Sequence, residues 1–418
     1  MFVILRPVSL PSRVDPVRVG WLLAGILLIA LNLRIGITSL GSLLAEVSDA
    51  NDLSPLTGGL ISSLPVACFA VVGPVALILL RRIGSHQGIA VALAALTAGL
   101  ALRVTGGSTS LLLGTLVACS GIALANVLLP AVVKEHFPTA VGRITGTYSA
   151  VLSIGAALAA ASAVPIAHAA GSWRVGLGAW ALVAAVALVA WLPHCTAARR
   201  RAAPAVRPRI SLWRNGRAWA VTVLFACQSV VAYVVMSWLP SMYVDAGFDQ
   251  RTSGLLLACS ISAGVPIYFL APVLAGRLRS QGHLIGGLTV LVGAAFTGLW
   301  LAPQQAPWLW AVMLGAGGAV FPVTLTLFAL RARTAAGTAA LSSMAQSVGY
   351  LLAAGGPQLV AWLRFSTGSW ETSYALLLVV CGVQITFGYL AGRPGHVDAD
   401  LSASDVAVPE AVRTPGDR

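Results

Sequence analysis

Apolar runs long enough to cross a bilayer, separated by short polar breaks, recur along this chain from about residue 20 to residue 392. A helix needs about 20 predominantly apolar residues to span the hydrocarbon core. The pattern predicts twelve helical spans, at 20–45, 56–80, 87–104, 109–131, 141–166, 173–193, 217–243, 253–276, 284–302, 307–330, 337–363 and 372–392. Prolines such as Pro65, Pro130, Pro266, Pro322 and Pro357 fall within or at the ends of these spans, where they bend or break helices. The expectation is therefore an all-α integral membrane protein.

Order along the chain divides it further. Residues 1–19 form a polar N-terminal segment that leads straight into the first span, with no cleavable signal pattern. Residues 20–193 form a first six-helix bundle and residues 217–393 a second. Between them, 194–216 is a basic linker holding Arg199, Arg200, Arg201, Arg207, Arg209 and Arg214, with Arg217 just beyond it. Residues 394–418 are polar, turn acidic, and are expected to be a disordered tail.

Composition agrees with this reading and adds orientation. The 418 residues are 58% hydrophobic and 9% charged, against about 25% charged in a soluble domain. Mean hydropathy is +0.87. The net charge of +13 comes from the breaks between spans. If the N-terminus is cytoplasmic, 21 of the 26 Lys and Arg fall in cytoplasmic segments, and only Arg103, Arg174, Arg251 and Arg364 fall outside. The positive-inside rule then places both termini and the linker in the cytoplasm of a cell (inner) membrane protein. This distribution accounts for the charge without nucleic acid and leaves membrane lipids as the partner of the basic segments. The six cysteines form no CxxC pair and read as small buried hydrophobes, so no disulfide framework or metal site is expected.

One basic residue remains. Arg34 lies near the middle of the first span, WLLAGILLIALNLRIGITSLGSLLAE. A guanidinium at bilayer mid-depth costs about 2.5–3.5 kcal/mol on insertion scales and faces a protein interior or an aqueous cavity. Arg34 is thus expected to be the fixed charge of a substrate site in a transporter. Thr38 lies one turn on, on the same face. Asn32 lies about 200° away and is expected to pack against a neighbouring helix.

The two halves also resemble each other. A shift of 199 residues lays Thr38–Leu43 over Ser237–Met242 and Glu46 over Asp245, and it places Tyr233 opposite Arg34. Further on, Ser153-Ile154-Gly155 matches Ser347-Val348-Gly349. Matches in this common order point to a duplicated six-helix unit.

Five strings carry a family resemblance: LNLRIGITSLGSLLAEV (31–47), GIALANVLLPAVVKEHFP (121–138), VMSWLPSMYVDAGF (235–248), FPVTLTLFALRART (321–334) and LSSMAQSVGYLLAAGGPQLV (341–360). Together they resemble the cyanate and 2-nitroimidazole transporter family of the major facilitator superfamily, from about Trp21 to Arg393. The resemblance implies two pseudo-symmetric six-helix bundles that move small compounds by alternating access, acting as a monomer. It also implies a midplane cavity lined by spans one, four, seven, ten and eleven. Ile35 stands where the family often has proline, so the first span is expected to bend less there.

The candidate substrate-binding residues are Arg34, Thr38, Asn126, Gln228, Tyr233, Trp238, Gln346 and Tyr350. Asn126 and Gln346 have interhelical hydrogen bonding as the alternative role, and Trp238 has the interfacial aromatic belt. No catalytic residue, cofactor or metal is expected. The chain has no GxxxxGK[ST], HExxH or GxSxG motif and no paired carboxylates within a span. No Asp or Glu lies deep in a span, which argues against a built-in proton relay. A lone buried cation suits a small anion or a strongly dipolar neutral solute. A broad-specificity drug exporter and a non-transporting receptor on the same scaffold are the alternatives.

Overall fold

The computed structural model describes residues 16–51, 55–201 and 210–398. Most of the expected N-terminal segment, the Arg207 and Arg209 part of the linker, and the tail beyond Asp398 lie outside them. Among the described residues the secondary structure is helical throughout.

The first half contains α1 (Pro16–Ser42), the short α2 (Leu44–Ala50), α3 (Pro55–Ile83), α4 (Ser85–Leu102), α5 (Ser108–His136), α6 (Val141–Ala170) and α7 (Trp173–Arg201). The second contains α8 (Gly216–Asp245), α9 (Gln250–Arg277), α10 (Gly282–Leu301), α11 (Pro307–Gly317), α12 (Val320–Leu330), α13 (Ala335–Ala354), α14 (Gly356–Thr367) and α15 (Glu371–Gly392). Helix α1 runs unbroken through Ile35.

Eleven stretches of described helix are long and apolar enough to cross a membrane, with α11 and α12 together forming one of them. The twelfth rod is α13 with α14. It misses that standard because α13 carries Thr338, Ser342, Ser343, Gln346 and Ser347. The tenth and eleventh expected spans are each broken just ahead of a proline, whereas Pro65, Pro130 and Pro266 sit inside unbroken helices. Proline has no N–H, so the carbonyl four residues earlier loses its helical donor. Pro322 frees Gly318 O, which instead accepts from Phe321 N at 3.0 Å and from Gln228 Nε2 at 3.4 Å. Pro357 similarly frees Ala353 O, and the helix breaks at Gly355.

Packing repeats between the halves. The pairs α4–α5, α1–α6, α4–α7 and α3–α5 in the first half correspond to α10–α11, α8–α13, α10–α15 and α9–α11 in the second. Across the halves, α3 packs on α13 and α6 on α9. Glycine permits both approaches. A Cβ at Gly73 would overlap the Ser347 hydroxyl, and one at Gly142 would overlap Pro272 O and lie 3.0 Å from Gly276 Cα.

The core is unevenly distributed. Around the end that carries the linker, one apolar cluster runs through both halves, joining Leu128, Val132 and Ile144 to Val323, Phe328 and Leu341. At the far end each half keeps its own core. One centres on Leu43, Leu111 and Trp173, the other on Leu239, Tyr243 and Phe296. Among the described residues the halves therefore share one apolar core at the linker end and keep separate cores at the far end.

Two expectations are corrected. Helix α7 continues past residue 193 to Arg201, so the linker begins in helix. The tail is not free from residue 394, because Val397 and Asp398 are buried against the linker end. The Asp398 carboxylate accepts from Arg333 N at 2.8 Å, Thr334 N at 3.0 Å and Thr334 Oγ1 at 3.0 Å. A carboxylate at the N-terminus of α13 satisfies donors the helix cannot and complements its dipole.

Candidate functional site

Among the described residues Arg103 and Arg331 are buried and Arg34 is half-buried, and their surroundings differ. Arg103 is fully buried, with Nη1 donating to Gly36 O at 2.7 Å and Nη2 to Ser39 Oγ at 3.1 Å and Leu177 O at 3.3 Å. Arg331 donates to Ala391 O, Gly392 O and Gln281 Oε1. Both are structural fasteners that tie helices together through backbone carbonyls.

Arg34 is different. Among the described residues its guanidinium has no hydrogen-bond acceptor and no carboxylate partner. Its Cζ lies 5.8 Å from the centroid of the Phe321 ring, in cation–π range. Its charge is also within electrostatic reach of the Tyr233, Tyr268 and Tyr350 phenols. Arg34 belongs to the first half and these four rings to the second, so the site lies between the halves.

The rings form a connected wall. Tyr350 lies 4.8 Å from Phe69 of the first half, 5.0 Å from Phe225 and 6.2 Å from Tyr233, centroid to centroid. Phe225 continues to Phe321 at 6.0 Å. The Tyr268 hydroxyl sits against Gly318, where a Cβ would come within 2.6 Å of it. The wall thus joins a free fork of N–H donors to flat apolar faces and phenol hydroxyls. That combination can hold a small planar solute bearing negative charge or a strong dipole.

The remaining candidates have other surroundings. Thr38 Oγ1 donates to Arg34 O at 2.6 Å, so its hydroxyl proton is held by its own helix while its oxygen can still accept. Gln346 is buried and donates to Ser342 Oγ at 2.8 Å and, across the halves, to Asn126 O at 3.2 Å. That contact is an interhelical bond. Gln228 lies inside the second half, beside Gln384, which reaches Thr289 at 2.9 Å. Trp238 donates to Pro357 O at 3.0 Å and pins α8 to α14. Asn32 is buried and donates to Leu28 O at 2.9 Å, away from Arg34.

Sequence reading missed Tyr268, Phe321 and Arg103. Phe321 stands at the head of a string noted above, and Tyr268 is a polar-tipped residue inside a predicted span. Arg103 directly follows α4 with no polar residue between, unlike a charge set in a loop. It holds α1 at Gly36, half a turn from Arg34. Arg103→Ala is expected to cost about 2–4 kcal/mol through lost packing and charge-assisted bonds. A fall in thermal stability with the protein still inserted would show this; an unchanged melting temperature would contradict it.

Comparison with known proteins accords with this geometry. Residues 26–357 match the family model described as Major Facilitator Superfamily. The chain is 35% identical to the 2-nitroimidazole transporter of Escherichia coli (strain K12) over 380 residues, covering 90% of this chain and 96% of that protein. It is 28% identical to the cyanate transport protein CynX of the same organism, covering 86% of this chain and 94% of that protein. The solved structure of the major facilitator transporter FucP in the outward conformation superposes with a TM-score of 0.69 at 14% identity, covering 90% of this chain and all of that one. The chain belongs to the Major Facilitator Superfamily of multi-pass membrane transporters and is not an enzyme.

Proposed function

We propose that this transporter carries a small anion or strongly dipolar neutral solute, of the cyanate or nitroimidazole type, by alternating access at the Arg34 site. The observation that carries the reading is the contrast among three arginines: Arg103 and Arg331 donate to backbone carbonyls and side-chain oxygens of the protein, whereas the Arg34 guanidinium has no acceptor among the described residues. The aromatic wall favours a flat solute, and the named substrates of the two relatives are a nitro-heterocycle and a linear anion.

Under this reading Arg34, Tyr233 and Tyr350 contact the solute, joined by Tyr268 and Phe321. Thr38 and Asn126 border the same space. Gln346, Gln228 and Trp238 hold the helices that present it. Both termini and the linker face the cytoplasm of the cell membrane, as the basic residues require. The sealed linker end is then the inner gate, and the arrangement described is outward-facing. One monomer suffices, because each chain supplies both halves.

Uptake of 2-nitroimidazole and of cyanate into vesicles reconstituted with the purified protein tests the proposal. Saturable flux of at least one, mutually competed by the other, is expected. Binding without flux would point to a receptor instead, and inhibition by many unrelated apolar cations to a drug exporter.

A further inference from the structure

At the linker end of the first half, away from Arg34, three side chains converge that the transport reading leaves unused. They are His86, at the start of α4, and Glu135 and His136, at the end of α5. One ligand atom from each lies within 4.8 Å of the others. We propose that this cluster binds a divalent transition cation such as Zn2+, clasping the ends of α4 and α5.

The geometry of His86 is fixed from several sides. Its ring stacks on Trp191 at 5.6 Å and an interplanar angle of 16°. Its backbone carbonyl accepts from Trp191 Nε1 at 2.9 Å and Cys195 Sγ at 3.3 Å. Ser85 then selects the tautomer. The Ser85 hydroxyl has one proton and donates it to Glu135 Oε2 at 2.8 Å, because a carboxylate can only accept. Towards His86 Nδ1, at 3.2 Å, the same oxygen must therefore accept. Nδ1 carries the proton and Nε2 presents a bare lone pair.

That lone pair faces His136 Nε2 at 3.0 Å. Two lone pairs cannot face each other so closely, so either a proton or a cation stands between them. In a tetrahedral zinc site with Zn–N bonds of about 2.0–2.1 Å, two histidine nitrogens sit about 3.3 Å apart. The imidazoles are therefore close to chelating distance without rearrangement. The carboxylate supplies the third ligand and the negative charge, and Ser85 supplies the outer hydrogen bond that orients both His86 and Glu135. Two imidazoles and one carboxylate suit Zn2+, Co2+ or Ni2+ rather than the oxygen-seeking Mg2+ or Ca2+. Burial is graded to allow entry: His86 is buried, His136 half-buried and Glu135 exposed.

Cobalt titration of the full-length, tag-free protein in detergent provides the test, because tetrahedral Co2+ gives visible absorption bands. One Co2+ per chain is expected, displaced by Zn2+, and lost in His136→Gln. Ser85→Ala should keep the one-to-one count but weaken affinity by roughly tenfold to a hundredfold. His86→Asn disturbs the Trp191 stack, so the half-exposed His136 and the exposed Glu135→Gln decide if that variant misfolds. The proposal is overturned if the wild-type chain gives no bands at stoichiometric Co2+, which would leave a proton shared between the two rings. It is equally overturned if His136→Gln binds Co2+ as well as the wild type.

Discussion

Arg34→Ala should reduce transport of the solute by tenfold to a hundredfold or more while the protein still inserts and folds. Charge-assisted hydrogen bonds are worth about 1.5–3 kcal/mol each, and every 1.4 kcal/mol is tenfold. Folding should survive because the guanidinium has no protein acceptor among the described residues and lies only in cation–π range of Phe321. Removing it breaks no hydrogen bond between helices, unlike Arg103→Ala, which removes the bonds that tie the end of α4 to α1 and α7. The two variants should therefore separate: Arg103→Ala mainly lowers stability, and Arg34→Ala mainly lowers flux. Comparing flux per folded molecule with melting temperature checks both. Flux near the wild-type level in a folded Arg34→Ala protein would remove Arg34 from the site.

Gly142→Leu should have the second large effect, through the gate rather than the site. Gly142 on α6 lies where the backbone of α9 comes closest at the linker end, against Pro272 and Gly276. The next turn repeats the contact, with Gly146 against Phe269 O. A side chain there cannot rotate clear of a backbone carbonyl, and overpacking of this kind costs about 1–3 kcal/mol. The cost falls only on the state in which the linker end is sealed. The population should shift away from that state by roughly fivefold to a hundredfold, and the far ends of α1 and α8 should move together as the linker ends part. Spin labels at Ser42→Cys and Ser237→Cys, in a background without native cysteines, should report a shorter distance in Gly142→Leu than in its parent. An unchanged distance would mean that the α6–α9 contact does not gate the molecule.

Much of this architecture can be read from the residues alone. A membrane imposes span length, so the rods follow from hydropathy, but the breaks do not follow from proline alone, since Pro65, Pro130 and Pro266 lie in unbroken helices while the spans of Pro322 and Pro357 are broken. The duplicated unit is legible because Thr38–Leu43 and Ser237–Met242 keep their order. Arg34 stands out because a charge in a span is costly. What faces Arg34 is not legible in the same way. In a soluble helix a polar face identifies the outside, but a membrane helix is apolar on its lipid face and on its packed face alike. The orientation of Tyr268 and Phe321 is settled only when the halves dock. Gln228 and Trp238 show the converse, since polar atoms inside a span are as readily used to hold helices together as to meet a solute. The tail misled for a related reason: Asp398 reads as solvated until the open N-terminus of α13 is seen to need a carboxylate.

The central claim is that Arg34 holds the solute between the halves, and equilibrium binding tests it most directly. Affinity for 2-nitroimidazole and for cyanate should be measured on detergent-purified wild type, Arg34→Lys and Arg34→Ala. Lysine keeps the charge but not the planar fork. The expected result is a graded loss, with Arg34→Lys weaker than wild type and Arg34→Ala weaker again, by about tenfold or more overall. Equal affinity in all three proteins would contradict the account.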